Sequence, residues 1–448
     1  MIALATVSSL SGVLAELDSL VDWERRDRAG MQVDVKPACD LLARLGNPQR
    51  RFLTVHVAGT KGKGSVCALI DAGLRHAGYV TGRYASPHVD RVNERVVLNG
   101  CEIADHPLAR YLTRVMTAQK DAARAGTEGR HASWFDIWTI AAFTAFADHN
   151  VEWAVIECGI GGRCDSTNAI DADIAVLTNV DLEHTALLGQ TREAIAREKL
   201  GILRAGRPLV TGVSADSDLG RCVAEVAGTY RSKVVFASAA PHESLRAGNI
   251  RVANAVLDLL GERRIDGLLA DSVRLPGRLE VVTVAALNAE ERETMIPVVL
   301  DGAHVASSLR AVLRDLSGDD RLRGPCAVVM GLARDKDAVS MLQALLSLTD
   351  RGVSIFTTAS RRGAPSHEPA ELARSAQALG FSARAVQQPS DALQEALRQV
   401  ERFGPDGWIL VTGSLHLVGA VRPNLSANGT APSHELDQAI PSGADIVN

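Results

Sequence analysis

The sequence contains no Cys-x-x-Cys pair: its seven cysteines, at 39, 67, 101, 158, 164, 222 and 326, are scattered and odd in number. That pattern excludes a disulfide framework and a compact thiolate zinc site, and it suits reduced thiols in a cytoplasm. An excess of basic residues is also missing, the formal net charge being -5, so no nucleic-acid partner is expected. Apolar runs reach strand length only, and the stretch from Met1 to Leu14 lacks a basic segment before it meets Glu16 and Asp18. Neither a membrane span nor a signal peptide is expected. No self-similar period of roughly 20–50 residues recurs, which excludes a solenoid or propeller.

What is present is the balance of a globular protein, 46% hydrophobic and 23% charged over 448 residues. That length exceeds the roughly 250–300 residues at which one core stops growing, so two domains are expected. Residues 52–58 form a short β-branched apolar run that stops at a glycine, and Ser65 to Ala77 then places apolar residues at helical spacing. The alternation recurs at 153–157, at 174–180 and in a helical run from Thr191 to Leu203. Repeated strand and helix units predict an α/β fold with mostly parallel sheets covered on both faces. A second series has strands at 296–301, 326–330, 353–358 and 408–411. Turn chemistry at Leu275-Pro276-Gly277-Arg278 and a polar loop from Asn288 to Glu293 place the boundary between 280 and 295. The expected domains are therefore 1–285 and 286–422, with a disordered tail at 423–448 where periodicity ends. The polar stretch from Gln119 to His131 reads as a mobile connection.

Between the first strand and helix lies Gly59-Thr60-Lys61-Gly62-Lys63-Gly64-Ser65. Glycines at this spacing let backbone N–H groups face one anion, and the following helix adds the positive end of its dipole. Phosphate suits such a nest, with Lys63 reaching the β and γ phosphates and Ser65 capping the helix or approaching a metal. Gly64 stands between Lys63 and Ser65, so the strict Walker spacing is not met, and a flexible turn is the structural alternative.

Further motifs follow in order: Tyr84-Ala85-Ser86-Pro87-His88, Ile156-Glu157-Cys158-Gly159-Ile160-Gly161-Gly162-Arg163, Asp181-Leu182-Glu183-His184-Thr185, Glu198-Lys199-Leu200-Gly201, Pro276-Gly277-Arg278-Leu279-Glu280 and Asp301-Gly302-Ala303-His304. From about residue 30 to residue 422 this series resembles the folylpolyglutamate synthase and dihydrofolate synthase family, relatives of the Mur ligases. The resemblance implies an N-terminal P-loop-type Mur ligase ATPase domain followed by a C-terminal Rossmann-like α/β domain, with the active site in the cleft. It also implies a cytoplasmic, monomeric enzyme whose partners are a small-molecule acid and an amino acid. The implied reaction spends ATP to make an acyl phosphate from a pteroate or folate carboxylate, which the amino group of L-glutamate then attacks. ATP is needed because a carboxylate is a poor electrophile until a phosphoryl group makes its oxygen a good leaving group.

By the same resemblance, Lys63 and Ser65 hold the triphosphate, and Ser65, Ser86, Glu157 and His184 serve up to two magnesium ions, which favour oxygen donors. Lys199 matches a lysine that many family members carry as a carbamate; a solvated lysine beside Glu198 is the structural alternative. Asn254 matches an adenine contact, while Arg278, Asp301 and His304 match positions near the phosphates and ribose. An ion pair is the alternative for Arg278, a helix entrance for Asp335 to Asp337, and a turn role for Ser414. Departures from the family pattern include Lys61 for asparagine, Asp181 and Glu183 for glycine and aspartate before His184, Leu200 for alanine, and Val305 for asparagine. The Val305 change keeps open a related ligase acting on a non-folate acid or a different amine, and a non-catalytic nucleotide binder stands further behind.

Overall fold

The structure, a computed structural model, describes residues 9–22, 34–240, 243–287, 293–360, 365–404 and 406–426. It divides into two compact units, Met1–Arg278 and Leu279–Asn448. The first is built on β1 (Leu53–Ala58), β2 (Thr81–Tyr84), β3 (Val96–Leu98), β4 (Cys101–Glu102), β5 (Trp153–Glu157), β6 (Ile174–Leu177), β7 (Leu209–Thr211) and β8 (Val234–Phe236). Their order is β4-β3-β2-β5-β1-β6-β7-β8. From β2 to β8 every neighbouring pair is parallel, and β3 and β4 add an antiparallel edge.

Both faces of this sheet are covered, which is why its strands read as continuous apolar runs. Along β1, Val55 and Val57 pack with Ile70, Leu74 and Val256 of helices Lys63–His76 and Leu245–Leu260. On the opposite face Trp138, Phe143 and Phe146 of helix Trp134–Asp148 pack with Leu112 and Val115. That helix is buried along nearly its whole length and starts with a reciprocal cap: the Asp136 carboxylate accepts from the Ser133 N–H at 2.7 Å, and the Asp136 N–H donates back to Ser133 Oγ at 3.2 Å.

Gln119 to His131 is not a mobile connection. The helix Asp105–Ala125 runs through its first half, ends at Gly126 in the left-handed region (φ 70°), and hands over to a single turn, Glu128–His131. Small residues hide the helical period from the sequence, since Ala118 and Ala122 occupy the buried face that Leu112 and Val115 begin. Asp40, on helix Lys36–Arg44, then pins the turn by accepting from the Thr127 hydroxyl and from the Gly129 N–H at 2.7 Å.

The second unit has β9 (Glu280–Leu287), β10 (Glu293–Leu300), β11 (Cys326–Met330), β12 (Val353–Thr357), β13 (Ser382–Ala385) and β14 (Trp408–Thr412), in the order β13-β12-β11-β14-β10-β9. Only β9 runs antiparallel to its neighbour. Because β9 pairs with β10 along its length, the strand at 280–287 belongs to the second sheet, and the first unit stops at Arg278. Of the polar loop expected at Asn288–Glu293, residues 288–292 lie outside the described residues. The last helix, Leu415–Ser426, continues past Arg422 because Leu417, Val418, Val421 and Leu425 keep one face buried. Residues 423–426 of the expected tail are therefore helical, and 427–448 lie outside the described residues.

Among the described residues no helix is long and apolar enough to cross a membrane, and all seven cysteines are free thiols.

Candidate active site

The glycine loop leaves the C-terminal end of β1 and feeds the helix Lys63–His76, with Gly62 as its cap residue at φ 75°. In open parallel sheets ligands bind beyond the carboxyl ends of the strands. Each glycine answers a local demand. A methyl group on Gly59, whose φ is 153°, would lie 1.9 Å from Thr178 Oγ1, and one on Gly62 would lie 2.6 Å from Asn249 Oδ1. Ser65 sits in the first turn of the helix, whose N-terminus has no side-chain cap.

The segment after β6 straps the loop down. The Lys61 carbonyl accepts from Thr178 Oγ1 at 2.6 Å and from Asn179 Nδ2 at 3.0 Å, while the Lys61 N–H donates to Asn179 Oδ1 at 2.9 Å. Thr60 donates its N–H to the Asn179 carbonyl at 3.0 Å, and its hydroxyl oxygen accepts from the Asp181 N–H at 3.0 Å. None of Thr178, Asn179, Asp181 or Asn249 was a candidate from sequence. The available signal was the polar pair Thr178-Asn179 closing an otherwise apolar strand run, at the end of the sheet where ligands bind.

Glu157 ends β5, buried to 3% exposure, and its Oε2 lies 3.3 Å from where a Gly64 methyl group would be. The same oxygen accepts from the Ser86 N–H at 3.2 Å, just beyond β2 and before a cis Pro87. Burial raises the Glu157 pKa, against the charges of Lys63 and Arg278, the Ser86 N–H bond and the charge of Arg83. A buried carboxylate in this setting is a costly group that a bound cation would satisfy. Arg83 is a further residue the motifs did not single out, and its Nε is buried without a hydrogen-bond partner.

Lys199 closes the helix Arg192–Lys199, is only 4% exposed, and donates from Nζ to the Gly59 carbonyl at 2.8 Å. It is not a solvated surface lysine. Burial first, then the charge of Lys63, holds its pKa down to about 8, while Glu183, Cys158 and Asp165 pull the other way. Lys61 is likewise lowered by burial, with Asp181 opposing. His184 caps the short helix Thr185–Leu188 from the left-handed region at φ 51°, and its Nε2 lies 3.7 Å from Glu183 Oε1.

The first unit thus gathers the glycine loop, Ser86, Glu157, Lys199 and the charges of Lys63 and Arg278, with His184 on the strapping segment. Asn254 is differently engaged: its Oδ1 accepts from the Ile265 N–H at 2.7 Å and its Nδ2 donates to the Ile265 carbonyl at 3.4 Å. Asp301 and His304 belong to the second unit. There Asp301 accepts from the N–H groups of Leu279 and Ala303 at 2.9 and 2.8 Å, and His304 Nδ1 donates to the Gly302 carbonyl at 3.0 Å. Val305 is the cap residue of helix Ala306–Leu316 and provides no side-chain hydrogen bond. The asparagine usual in the family would cap there, so the departure has a structural consequence in the helix itself. Asp337 caps helix Ala338–Ala344 by accepting from the Ser340 N–H at 3.0 Å, and Ser414 Oγ accepts from the His416 N–H at 3.1 Å.

The described residues contain no cluster of three or more His, Cys, Asp or Glu able to hold a metal. Of the residues expected to hold magnesium, Glu157, Ser65 and Ser86 offer the oxygen donors that ion favours, whereas the His184 imidazole is a less usual ligand for it.

Known proteins resemble this chain in sequence and fold over most of its length. A family model for the Mur ligase middle domain matches residues 108–286, and one for the dihydrofolate synthetase C-terminal domain matches residues 283–425. The dihydrofolate synthase/folylpolyglutamate synthase of Bacillus subtilis is 31% identical over 361 residues, covering 70% of this chain and 80% of that protein. The solved structure of E. coli FolC in complex with DHPP and ADP aligns with a TM-score of 0.77 at 25% identity, covering 94% of this chain and 98% of that one. A bifunctional folylpolyglutamate synthase/dihydrofolate synthase with Mn, AMPPNP and L-glutamate bound aligns with a TM-score of 0.76 at 25% identity, covering 94% and 98%.

Proposed function

Since this chain belongs to the dihydrofolate synthase/folylpolyglutamate synthase family of ATP-dependent ligases, we propose that it joins a pteroate or folate carboxylate to the amino group of L-glutamate, as a cytoplasmic monomer. The observation that carries the reading is the buried Glu157 carboxylate against Gly64 at the head of the phosphate-type helix, with Lys199 tied to Gly59 at 2.8 Å.

In the proposed reaction the loop amides and Lys63 hold the nucleotide phosphates. A substrate carboxylate oxygen attacks the γ-phosphorus, ADP leaves, and the amine then attacks the acyl carbon and expels phosphate as the amide forms. Ser65, Ser86, Glu157 and His184 are the residues that would hold magnesium at up to two sites, and the metal supplies charge neutralisation at the phosphates. Arg278 would offset charge on the transferring group. Asp301 and His304 are proposed nucleotide contacts, as is the remaining N–H of Asn254.

Lys199 is proposed to carry a carbamate. Its lowered pKa leaves a usable neutral fraction of amine near neutral pH, and that amine would bond to the carbon of carbon dioxide with loss of a proton. Replacing a buried cation by an anion adds a counter-charge for metal. Lys199→Ala is expected to lose activity and to regain part of it with a small carboxylate; a fully active variant would remove the carbamate.

The decisive assay is ADP release, with mass spectrometry of the product. Release that depends on both a pteroate-type acid and L-glutamate supports the proposal. Amide formation only with another acid or amine would replace the substrate assignment, and ordinary nucleotide binding without any ligation would overturn it.

A further inference from the structure

Two of the positions that depart from the family pattern, Lys61 and Asp181, touch each other across 120 residues. Lys61 Nζ lies 3.3 Å from Asp181 Oδ2, and both side chains are only about a fifth exposed, at 22% and 21%. The other carboxylate oxygen accepts from Arg192 Nη2 at 3.1 Å and from the Leu182 N–H at 2.9 Å. Arg192 opens the helix Arg192–Lys199, and Lys199 at the other end holds the Gly59 carbonyl. Both ends of one helix therefore grip the glycine loop, one directly and one through Asp181. Asp181 also stands three residues before His184, so the segment that anchors Lys61 is the segment that presents the imidazole.

Neutral hydrogen bonds from Thr178 Oγ1 and Asn179 Nδ2 to the Lys61 carbonyl, and from the Thr60 N–H to the Asn179 carbonyl, already fix the backbone of the loop. The ion pair adds a connection that responds to charge. When a polyanionic nucleotide enters the loop or a cation settles near His184, the field at Lys61 and Asp181 changes, and each end of the pair transmits that change to the other.

We propose that Lys61, Asp181 and Arg192 form an ionic latch that couples the phosphate loop to the His184 segment, so that nucleotide and magnesium bind cooperatively and Lys61 acts as a positioning residue. The latch rests on the nucleotide and metal sites proposed above. Reciprocity requires that whatever tightens nucleotide binding in the presence of metal tightens metal binding in the presence of nucleotide by the same factor.

The test measures dissociation constants of a fluorescent ADP analogue for the full chain, with and without magnesium, in wild type, Lys61→Met, Asp181→Asn, the double variant and Lys61→Arg. The readout is the factor by which magnesium tightens binding. Direct charge effects act in opposite directions, since loss of Lys61 weakens nucleotide binding and loss of Asp181 strengthens it. The latch instead predicts that both single variants lower the magnesium factor, by about fivefold. The double variant is expected to lose no more than either single one, and Lys61→Arg to keep the wild-type factor. Single variants with an unchanged factor, or losses that multiply in the double variant, would overturn the latch while leaving the nucleotide site standing. A variant that melts earlier without its ligand yet keeps the wild-type factor has only a structural pair, which also overturns it. Failure of the wild type to bind the analogue at all removes the functional reading and the latch together.

Discussion

His56 makes the stability of the first unit depend on pH with a defined sign. It lies in β1 with no exposed surface, its Nε2 2.9 Å from Thr167 Oγ1 and 3.1 Å from Cys158 Sγ. The Thr167 hydroxyl donates its proton to Asp165, so the imidazole carries its hydrogen on Nε2 and donates to the threonine oxygen. Its Nδ1 is then a buried acceptor without a hydrogen-bond partner. Protonating that nitrogen would create a buried cation, and burial, followed by the charge of Arg204, pushes the His56 pKa down to about 3. In the unfolded chain a histidine titrates near 6.5. Below that pH the unfolded state takes up a proton that the folded state refuses, so stability is complete above about pH 6.5 and falls as pH drops toward 3. The slope is ~1.4 kcal/mol per pH unit, which makes ~2 kcal/mol between pH 6.5 and 5. In a domain of this size that amounts to about 4–8 °C of melting temperature. Asp136, Asp165 and Glu157 act in the opposite direction, because burial raises their pKa and the folded state then binds protons more readily. The comparison is therefore with His56→Gln, whose amide reaches Thr167 and does not titrate. Calorimetric melts at fixed ionic strength are expected to show wild type losing ground to this variant as pH falls from 7 to 5. A difference between the two proteins that stays constant with pH would refute the reasoning.

Gly59→Ala would drive a methyl group to within 1.9 Å of Thr178 Oγ1 and displace the hydroxyl that holds the Lys61 carbonyl. Overpacking of that kind costs about 1–3 kcal/mol, and a loop moved by an ångström is expected to lose roughly a hundredfold in kcat/KM for ATP; ordinary kinetics would contradict the close approach. Glu157→Gln keeps an acceptor for the Ser86 N–H and removes a buried charge. Titration of activity against magnesium is expected to show a requirement raised about tenfold or more with no loss of thermal stability, and an unchanged requirement would remove Glu157 from the proposed metal site. Asp40→Ala takes away the acceptor for Thr127 and Gly129, so denaturant unfolding is expected to report a loss of about 1–3 kcal/mol with nucleotide binding intact; a neutral effect would show that the turn holds without Asp40.

Where pattern and chemistry are local, the sequence was sufficient. The strands at 53–58 and 153–157, the helix after the glycine loop and the α/β class follow from periodicity, which reflects burial on one or both faces of each element. The glycine loop follows from residues adjacent in the chain. Local reading failed where small residues carried a buried face, as Ala118 and Ala122 do, and it does not show which distant partner a polar side chain meets. Asn254 has the right character for a nucleotide contact, yet its amide pairs with Ile265. Val305 departs from the family pattern, and the structure adds that it lies at a helix cap.

By itself, then, the sequence determined the glycine loop, the alternation of strands and helices, and the ordered motifs that mark an ATP-dependent ligase, because each depends on neighbours a few residues apart. Tertiary structure alone decided which distant groups meet. The order β5-β1-β6 sets the ends of three strands side by side. Glu157 thereby reaches Gly64, Asp181 reaches Lys61, and Lys199 reaches Gly59 across 140 residues of chain. Spacing along the chain does not encode strand order, and the burial that makes Lys199 and Glu157 chemically distinctive arises only once those strands lie together.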